Sequence, residues 1–210
     1  MRQPMPSKNF LSFFIFFAAT NLPAQTVAPT PAWFVQTTGF VVRYHSALDY
    51  QTGGGAGVSA GRFIYHHWLA VAVGLEYTRA TQKLQLIAGR YETRANIYRS
   101  LLALRATRPL KQRAIFWFGG LQSGLSFFHP EPLTIDAGVA GKITFRPAAE
   151  KKIVAAWESG LTLHLVKGVS MLLAVRQNFS RFASRQLGSD HVASQWRHEW
   201  NYATGLLYSF

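Results

Sequence analysis

Trp200-Asn201-Tyr202-Ala203-Thr204-Gly205-Leu206-Leu207-Tyr208-Ser209-Phe210 closes the sequence. Taken alternately, Trp200, Tyr202, Thr204, Leu206, Tyr208 and Phe210 form one set, and Asn201, Ala203, Gly205, Leu207 and Ser209 the other. Successive side chains of a strand point to opposite faces. An extended run here therefore carries its aromatics on one face and mostly small or polar groups on the other. A soluble strand buries such a face and continues into a turn. This one stops on the aromatic residue.

That ending resembles the bacterial outer-membrane β-barrel proteins, whose last strand alternates in this way and finishes on Phe. The resemblance implies that Tyr208 and Phe210 belong to a signal read by the barrel-assembly machinery. It also implies that the apolar face meets lipid.

Upstream of Trp33 the pattern differs. Arg2 and Lys8 make a positive start, Phe10 to Ala19 an apolar run, and Leu22-Pro23-Ala24 a small-residue ending. These are the parts of a secretory signal peptide. The run is shorter than the roughly 20 residues a spanning helix needs, and Pro23 opposes its continuation. Residues 1–24 are expected to be cleaved and 25–32 to be a periplasmic lead-in, leaving 33–210 as one barrel domain.

Composition agrees. Mean hydropathy is near neutral although 14% of residues are aromatic, as in a barrel whose strands alternate lipid-facing apolar with lumen-facing polar residues. No cysteine is present, so no disulfide or cysteine metal site is available. No cofactor is expected.

The alternation predicts eight strands: 33–46, 55–65, 68–81, 92–107, 114–128, 152–166, 170–182 and 196–210. Connections one, three, five and seven read as long, and two, four and six as short. That places both termini on the periplasmic side, with the long loops outside. Eight strands imply a narrow interior that side chains can fill, as in the compact OmpA- and OmpX-type barrels. With nothing after Phe210, the wall-binding domain of the OmpA analogy is not expected. The Gly- and Ala-rich second segment fits such an interior, because small inward residues leave room for large ones.

Charge follows the same register. Glu76, Glu158 and Glu199 fall opposite the apolar faces of their segments, as does Arg176, while Arg99 and Arg105 share a face with Leu101 and Ala103. Lipid offers polar groups no partner, so these six, with Arg43, are expected to form a lumen network. The net charge of +13 becomes +11 once Arg2 and Lys8 are removed. In an exported chain without a nucleic-acid motif this does not indicate nucleic acid. Instead Arg90, Arg94, Lys151, Lys152 and Arg185, with Arg79, Lys83, Lys142, Arg146, Arg181 and Arg197, fall at the outer rim, where lipopolysaccharide phosphates would meet them. Trp33, Tyr44, Tyr65, Trp68, Tyr77, Trp196, Tyr208 and Phe210 lie near segment ends, as interface girdles do; Trp117 and Trp157 fit less well.

Some eight-stranded barrels modify the acyl chains of lipid A. Ser189, Asp190, His191, Ser194, His198 and Glu199 supply the residue types. The His-x-Ser arrangement of the lipid A deacylases is missing, and His191 and Ser194, three apart, fall on opposite faces of a strand. No catalytic residue is assigned. His66-His67 reads as a turn rather than a metal site, and Gly53-Gly54-Gly55 as strand entry rather than a phosphate loop, because no helix follows it. The expected role is non-enzymatic and monomeric: envelope integrity, adhesion or surface interaction through the outer loops. A narrow channel or transporter is the alternative, and a lipid A acyl-modifying enzyme the third reading.

Overall fold

The computed structural model describes residues 33–44, 51–65, 68–86, 89–110, 114–136, 141–146, 149–185 and 192–210, with the side chains of 82–90 and 181–197 left out. The expected signal peptide, the lead-in and His66-His67 lie outside the described residues. The strands are β1 (Trp33–Tyr44), β2 (Gly53–Tyr65), β3 (Leu69–Leu86), β4 (Gly89–Pro109), β5 (Ile115–Pro130), β6 (Leu133–Asp136), β7 (Lys142–Phe145), β8 (Glu150–Val166), β9 (Val169–Arg185) and β10 (Val192–Ser209). Eight of them close into an antiparallel barrel, β1-β2-β3-β4-β5-β8-β9-β10, in which β10 pairs with β1. This is the up-and-down barrel that the alternation predicts. The foot of the barrel holds Trp33, Phe210 and the short turns after β2, β4 and β8; the mouth is the opposite end.

Three expected loops contain strand. β3 and β4 stay paired to Leu86 and Gly89, so the third connection is an extended hairpin and not the loop expected over 82–91. β9 and β10 likewise pair to Arg185 and Val192, inside the expected loop at 183–195. In both hairpins backbone pairing continues beyond the segments that the alternation marked. The connection over 129–151 contains the separate hairpin β6–β7. Pro130, Pro132 and Pro147 flank it, and proline cannot donate to a ladder, so the barrel strands end before the hairpin begins.

Register fixes the tilt. Following paired residues once round the wall leads from Phe34 through Gly61, Ala72, Ala103, Gln122, Ala156, Asn178 and Glu199 to Tyr44, ten residues further along β1. That offset is about 33 Å of strand against about 38 Å of circumference at eight strand spacings, which corresponds to a tilt of about 40°. Because the offset is even, every residue on the path faces inward.

The outer face is apolar. Val41, Val73, Leu75, Leu102, Leu121, Leu173 and Leu206 are all exposed, a belt that only lipid would cover. From Phe210 to Trp200 the face of β10 rises about 25 Å at this tilt, close to the height of a barrel's apolar band. Trp33, Tyr65, Tyr208 and Phe210 mark its lower edge; Tyr77 and Tyr98, packed at 5.3 Å, mark the upper. Trp117 belongs to the lower edge, because Arg108 opposite it lies at the foot end of β4. Trp157 stands in mid-wall and donates its indole N–H to Gln177 Oε1 at 2.9 Å. Tyr44 faces the lumen and is buried, so it is no girdle residue.

Inside, the β2 wall is almost without side chains: Gly53, Gly55, Gly57 and Gly61 face inward around Ser59. A Cβ at Gly55 would stand 2.5 Å from the Phe40 ring, and one at Gly61 would stand 2.4 Å from that of Phe34. Glycine is required here because the two β1 aromatics fill the space. Near the mouth Phe40, Val42, Tyr44, Ala80, Ile97 and Phe128 form one buried cluster. Near the foot Phe34, Ala70, Phe118 and Leu172 are buried. The lumen is thus a polar waist between two apolar caps.

Candidate functional site

Three ion pairs fill the waist, one in each of three tiers. Nearest the foot, Arg105 donates through Nε and Nη2 to Glu158 Oε1 at 3.0 and 2.9 Å, and through Nη1 to Gln36 Oε1 at 2.7 Å. Its guanidinium lies 4.5 Å above the Phe118 ring. In the middle, Arg176 donates to both oxygens of Glu76 at 2.5 and 2.6 Å and to Gln122 Oε1 at 3.0 Å. It lies 5.8 Å from the Phe40 ring centre, under the upper cap. Nearest the mouth, Arg99 Nη2 meets Glu199 Oε1 at 2.5 Å, and Asn178 Nδ2 donates to the same oxygen at 2.7 Å.

The alternation of each strand accounts for these positions. Glu76 follows Ala72 and Gly74 on the inner face of β3, Arg176 follows Leu172 and Ala174 on β9, and Arg99 precedes Leu101 and Ala103 on β4. The shared face of Arg99 and Leu101 is the inner one, where the apolar residue packs and the charged one pairs. Three guanidiniums and three carboxylates balance. Burial of each charge is offset only by its partner and by further hydrogen bonds, which Gln36, Gln122 and Asn178 supply. A cavity of about 50 Å³ remains between these groups, bordered by Gln36, Glu76, Arg105, Gln122, Arg176 and Asn201. At the tier of Arg99, polar atoms of Thr78, Ser126 and Asn201 have no protein hydrogen bond.

Arg43 is outside this set: it is exposed on the lipid-facing side of β1 with Val41. Spacing alone did not flag the three amides, because an uncharged residue on an alternating face carries no signal of its own. Each lies two positions, or a multiple of two, from a charged neighbour or a lumen residue of its strand.

The rim cations divide. Arg94 and Lys151 are exposed at the mouth, Lys151 lying 5.6 Å over the Phe127 ring. Lys152, expected among them, instead points into the mouth. It pairs with Glu150 at 2.5 Å with only 8% of its side chain exposed, and it lies over Phe128 at 4.7 Å. Alternation requires this, because Lys152 shares a face with Val154 and Glu158. The side chains of Arg90 and Arg185 lie outside the described residues. Arg79 pairs with Glu131 at 3.3 Å, Thr93 Oγ1 donates to the Glu131 carbonyl at 2.9 Å, and the Glu131 N–H donates to the Arg94 carbonyl at 2.7 Å. These contacts fasten the root of the β6–β7 hairpin to β3 and β4.

The side chains of Ser189, Asp190, His191 and Ser194 lie outside the described residues. A different hydroxyl–imidazole pair occurs at the foot, where His164 Nδ1 and Ser170 Oγ are 3.0 Å apart. Neither β8 nor β9 carries a carboxylate near it in sequence to orient the ring, which nucleophilic catalysis would need. Among the described residues no three His, Cys, Asp or Glu side chains converge as metal ligands do. At the chain's end, Phe210 exchanges backbone hydrogen bonds with Trp33 at 3.0 and 3.1 Å, while Tyr208 and Phe210 stack outward at 5.7 Å.

No protein-family model matches the sequence, and no curated protein matches it. Solved structures do. The chain is similar to the crystal structure of Neisserial surface protein A, with a TM-score of 0.57 and 16% identity over 87% of this chain and 100% of that one. It is also similar to the outer membrane protein OprG from Pseudomonas aeruginosa, with a TM-score of 0.53 and 12% identity over 86% and 97%. At these identities the likeness is one of fold. The chain has the architecture of the small eight-stranded outer-membrane β-barrels.

Proposed function

We propose that this protein is an outer-membrane barrel whose lumen is a packed core and whose work is done at the mouth, as an envelope-stabilising or surface-interaction protein. The observation that carries this reading is the closed waist. Three ion pairs span the lumen, an apolar cap lies above and below them, and about 50 Å³ is left between, room for a few waters. A barrel built in this way offers its ligands the rim rather than a pore.

On this reading the mouth, where β3–β4 and β9–β10 run on as extended hairpins, is the extracellular side and both termini are periplasmic. The exposed Arg94 and Lys151 then face the phosphates of lipopolysaccharide. The hairpin β6–β7, rooted through Glu131, is an element a partner at the mouth would meet. Export through a cleaved leader and insertion by the assembly machinery, reading Tyr208 and Phe210, belong to the same proposal.

A narrow conduit is the second reading, and one arrangement favours it. Glu76 is the cross-strand neighbour of Arg99, and Glu158 that of Arg176, although each pairs elsewhere. Two of the three guanidiniums, those of Arg99 and Arg176, therefore have a second carboxylate on a neighbouring strand. Conductance of the refolded protein in planar bilayers, with Arg176→Ala and Glu76→Ala alongside, separates the two. Silence in all three is expected. Discrete openings that the substitutions alter would replace the structural reading with transport.

A further inference from the structure

We infer that the foot of the barrel is a basic collar that binds anionic phospholipid headgroups. Among the described residues, no acidic side chain lies at this end. Glu76, Glu158 and Glu199 are consumed in the lumen, and Glu92, Glu131, Asp136 and Glu150 lie in the strand ends and connections at the mouth. The described cations of the foot, Arg62, Arg108 and Lys167, therefore outnumber its acidic side chains.

Those cations are placed in a repeated way. Arg62 on β2 is the cross-strand partner of Trp33 on β1, with its guanidinium 5.4 Å from the indole centre. Arg108 on β4 is the cross-strand partner of Trp117 on β5. Both arginines are exposed on the outer face, and Lys167 is exposed at the tip of the β8–β9 turn. Tryptophan settles at the level of the headgroups. An arginine stacked beside it therefore presents its flat fork of donors at phosphate height, and a guanidinium matches phosphate in two-pronged fashion. The three cations stand at separate points around the wall: between β1 and β2, between β4 and β5, and at β8–β9. A single protein partner would require one patch. A ring fits a leaflet that surrounds the barrel, and anionic lipid attracts basic residues at its surface.

The inference rests on the membrane reading above, and one experiment tests both separately. The protein, carrying Trp157→Phe, Trp196→Phe and Trp200→Phe so that its remaining tryptophans lie toward the foot, is refolded into vesicles containing brominated phosphatidylglycerol or brominated phosphatidylcholine. Quenching gives the relative association of the two lipids. A preference of about fivefold for the anionic lipid is expected, the order of effect of one basic residue at an anionic surface, and it should decline as salt is raised. Arg62→Gln/Arg108→Gln/Lys167→Gln should bring the ratio close to one, whereas Arg79→Gln/Lys151→Gln at the mouth should leave it unchanged. Equal quenching by the two lipids, or a preference lost only with the mouth substitutions, overturns the collar. Failure to insert as a heat-modifiable barrel overturns the membrane reading and the collar with it.

Discussion

Arg176 and Glu76 stand on strands four steps apart around an eight-strand wall, directly opposite each other and a hundred residues apart in sequence, yet they meet at 2.5 and 2.6 Å. Arg99 and Glu199 repeat the relationship on β4 and β10 at 2.5 Å. Contacts of this kind tie the wall across its diameter, which no backbone ladder does. They also explain how six charges can reside in the interior of a closed barrel.

Removing one member of such a pair leaves the other buried without its counter-charge. Glu76→Ala and Arg176→Ala should each lower stability by about 3–5 kcal/mol in reversible denaturant unfolding from lipid. Glu76→Leu/Arg176→Leu together should cost less than either alone, because no unpaired charge remains. Losses that simply add would show that the pair is not energetically coupled.

The glycines of β1 and β2 divide into required and dispensable. At Gly61 a Cβ would meet the Phe34 ring at 2.4 Å and the Val71 carbonyl oxygen at 2.5 Å. Gly61→Ala should therefore destabilise by about 1–3 kcal/mol, with only partial recovery in Gly61→Ala/Phe34→Leu because the backbone oxygen does not move away. Gly39 on β1 has nothing within 4 Å of its missing Cβ, and Gly39→Ala should be close to neutral. A comparison of unfolding midpoints decides it; a neutral Gly61→Ala would mean that Phe34 is not held against β2.

How much of this was legible beforehand varies with the kind of contact. The inward facing of Glu76, Glu158, Glu199, Arg105 and Arg176 follows from alternation alone, which is local. The pairing of Arg176 with Glu76, rather than with its neighbour Glu158, depends on the tilt. The tilt is the accumulated result of eight separate registers, and no single segment contains it. The turn of Lys152 into the mouth is a matter of strand boundary instead: a run of Glu-Lys-Lys reads as rim, and alternation applies to Lys152 only because the strand begins at Glu150. The strand lengths of β3 and β4 differ from those expected for another reason: backbone pairing runs on to Leu86 and Gly89, and a ladder of main-chain hydrogen bonds leaves no mark on side-chain pattern.

Two glutamates on β8 provide a check of that strand's register. Glu158 is buried against Arg105, whereas Glu150 has 43% of its side chain exposed. Glu158→Leu should cost about 3 kcal/mol or more as a broken buried pair, and Glu150→Leu at most about 1 kcal/mol as a partly solvated one. Equal losses in the same unfolding assay would place Glu158 outside the lumen.

Deleting Phe210 removes both hydrogen bonds that close β10 on Trp33 and the outward stack with Tyr208. The expected result in cells is loss of the heat-modifiable form from the outer-membrane fraction, with unfolded chain retained in the periplasm. Normal amounts of folded barrel would show that the terminal residue is dispensable for assembly. Phe210→Ala, which keeps the backbone bonds, should give an intermediate yield if the ring itself is read.

The ten-residue offset around the wall has a consequence for how errors are caught. A slip of one residue in any hairpin exchanges the inner and outer faces of every strand beyond it, and nothing within those hairpins would register the fault. It comes to light at the seam, where β10 must meet β1 with Glu199 inside and Tyr208 outside. The seam therefore acts as a parity check on all the pairings before it. One misplaced strand makes the total odd, and a chain with an odd total cannot satisfy both residues at once. Closure is the step at which a correctly woven barrel separates itself from a miswoven one.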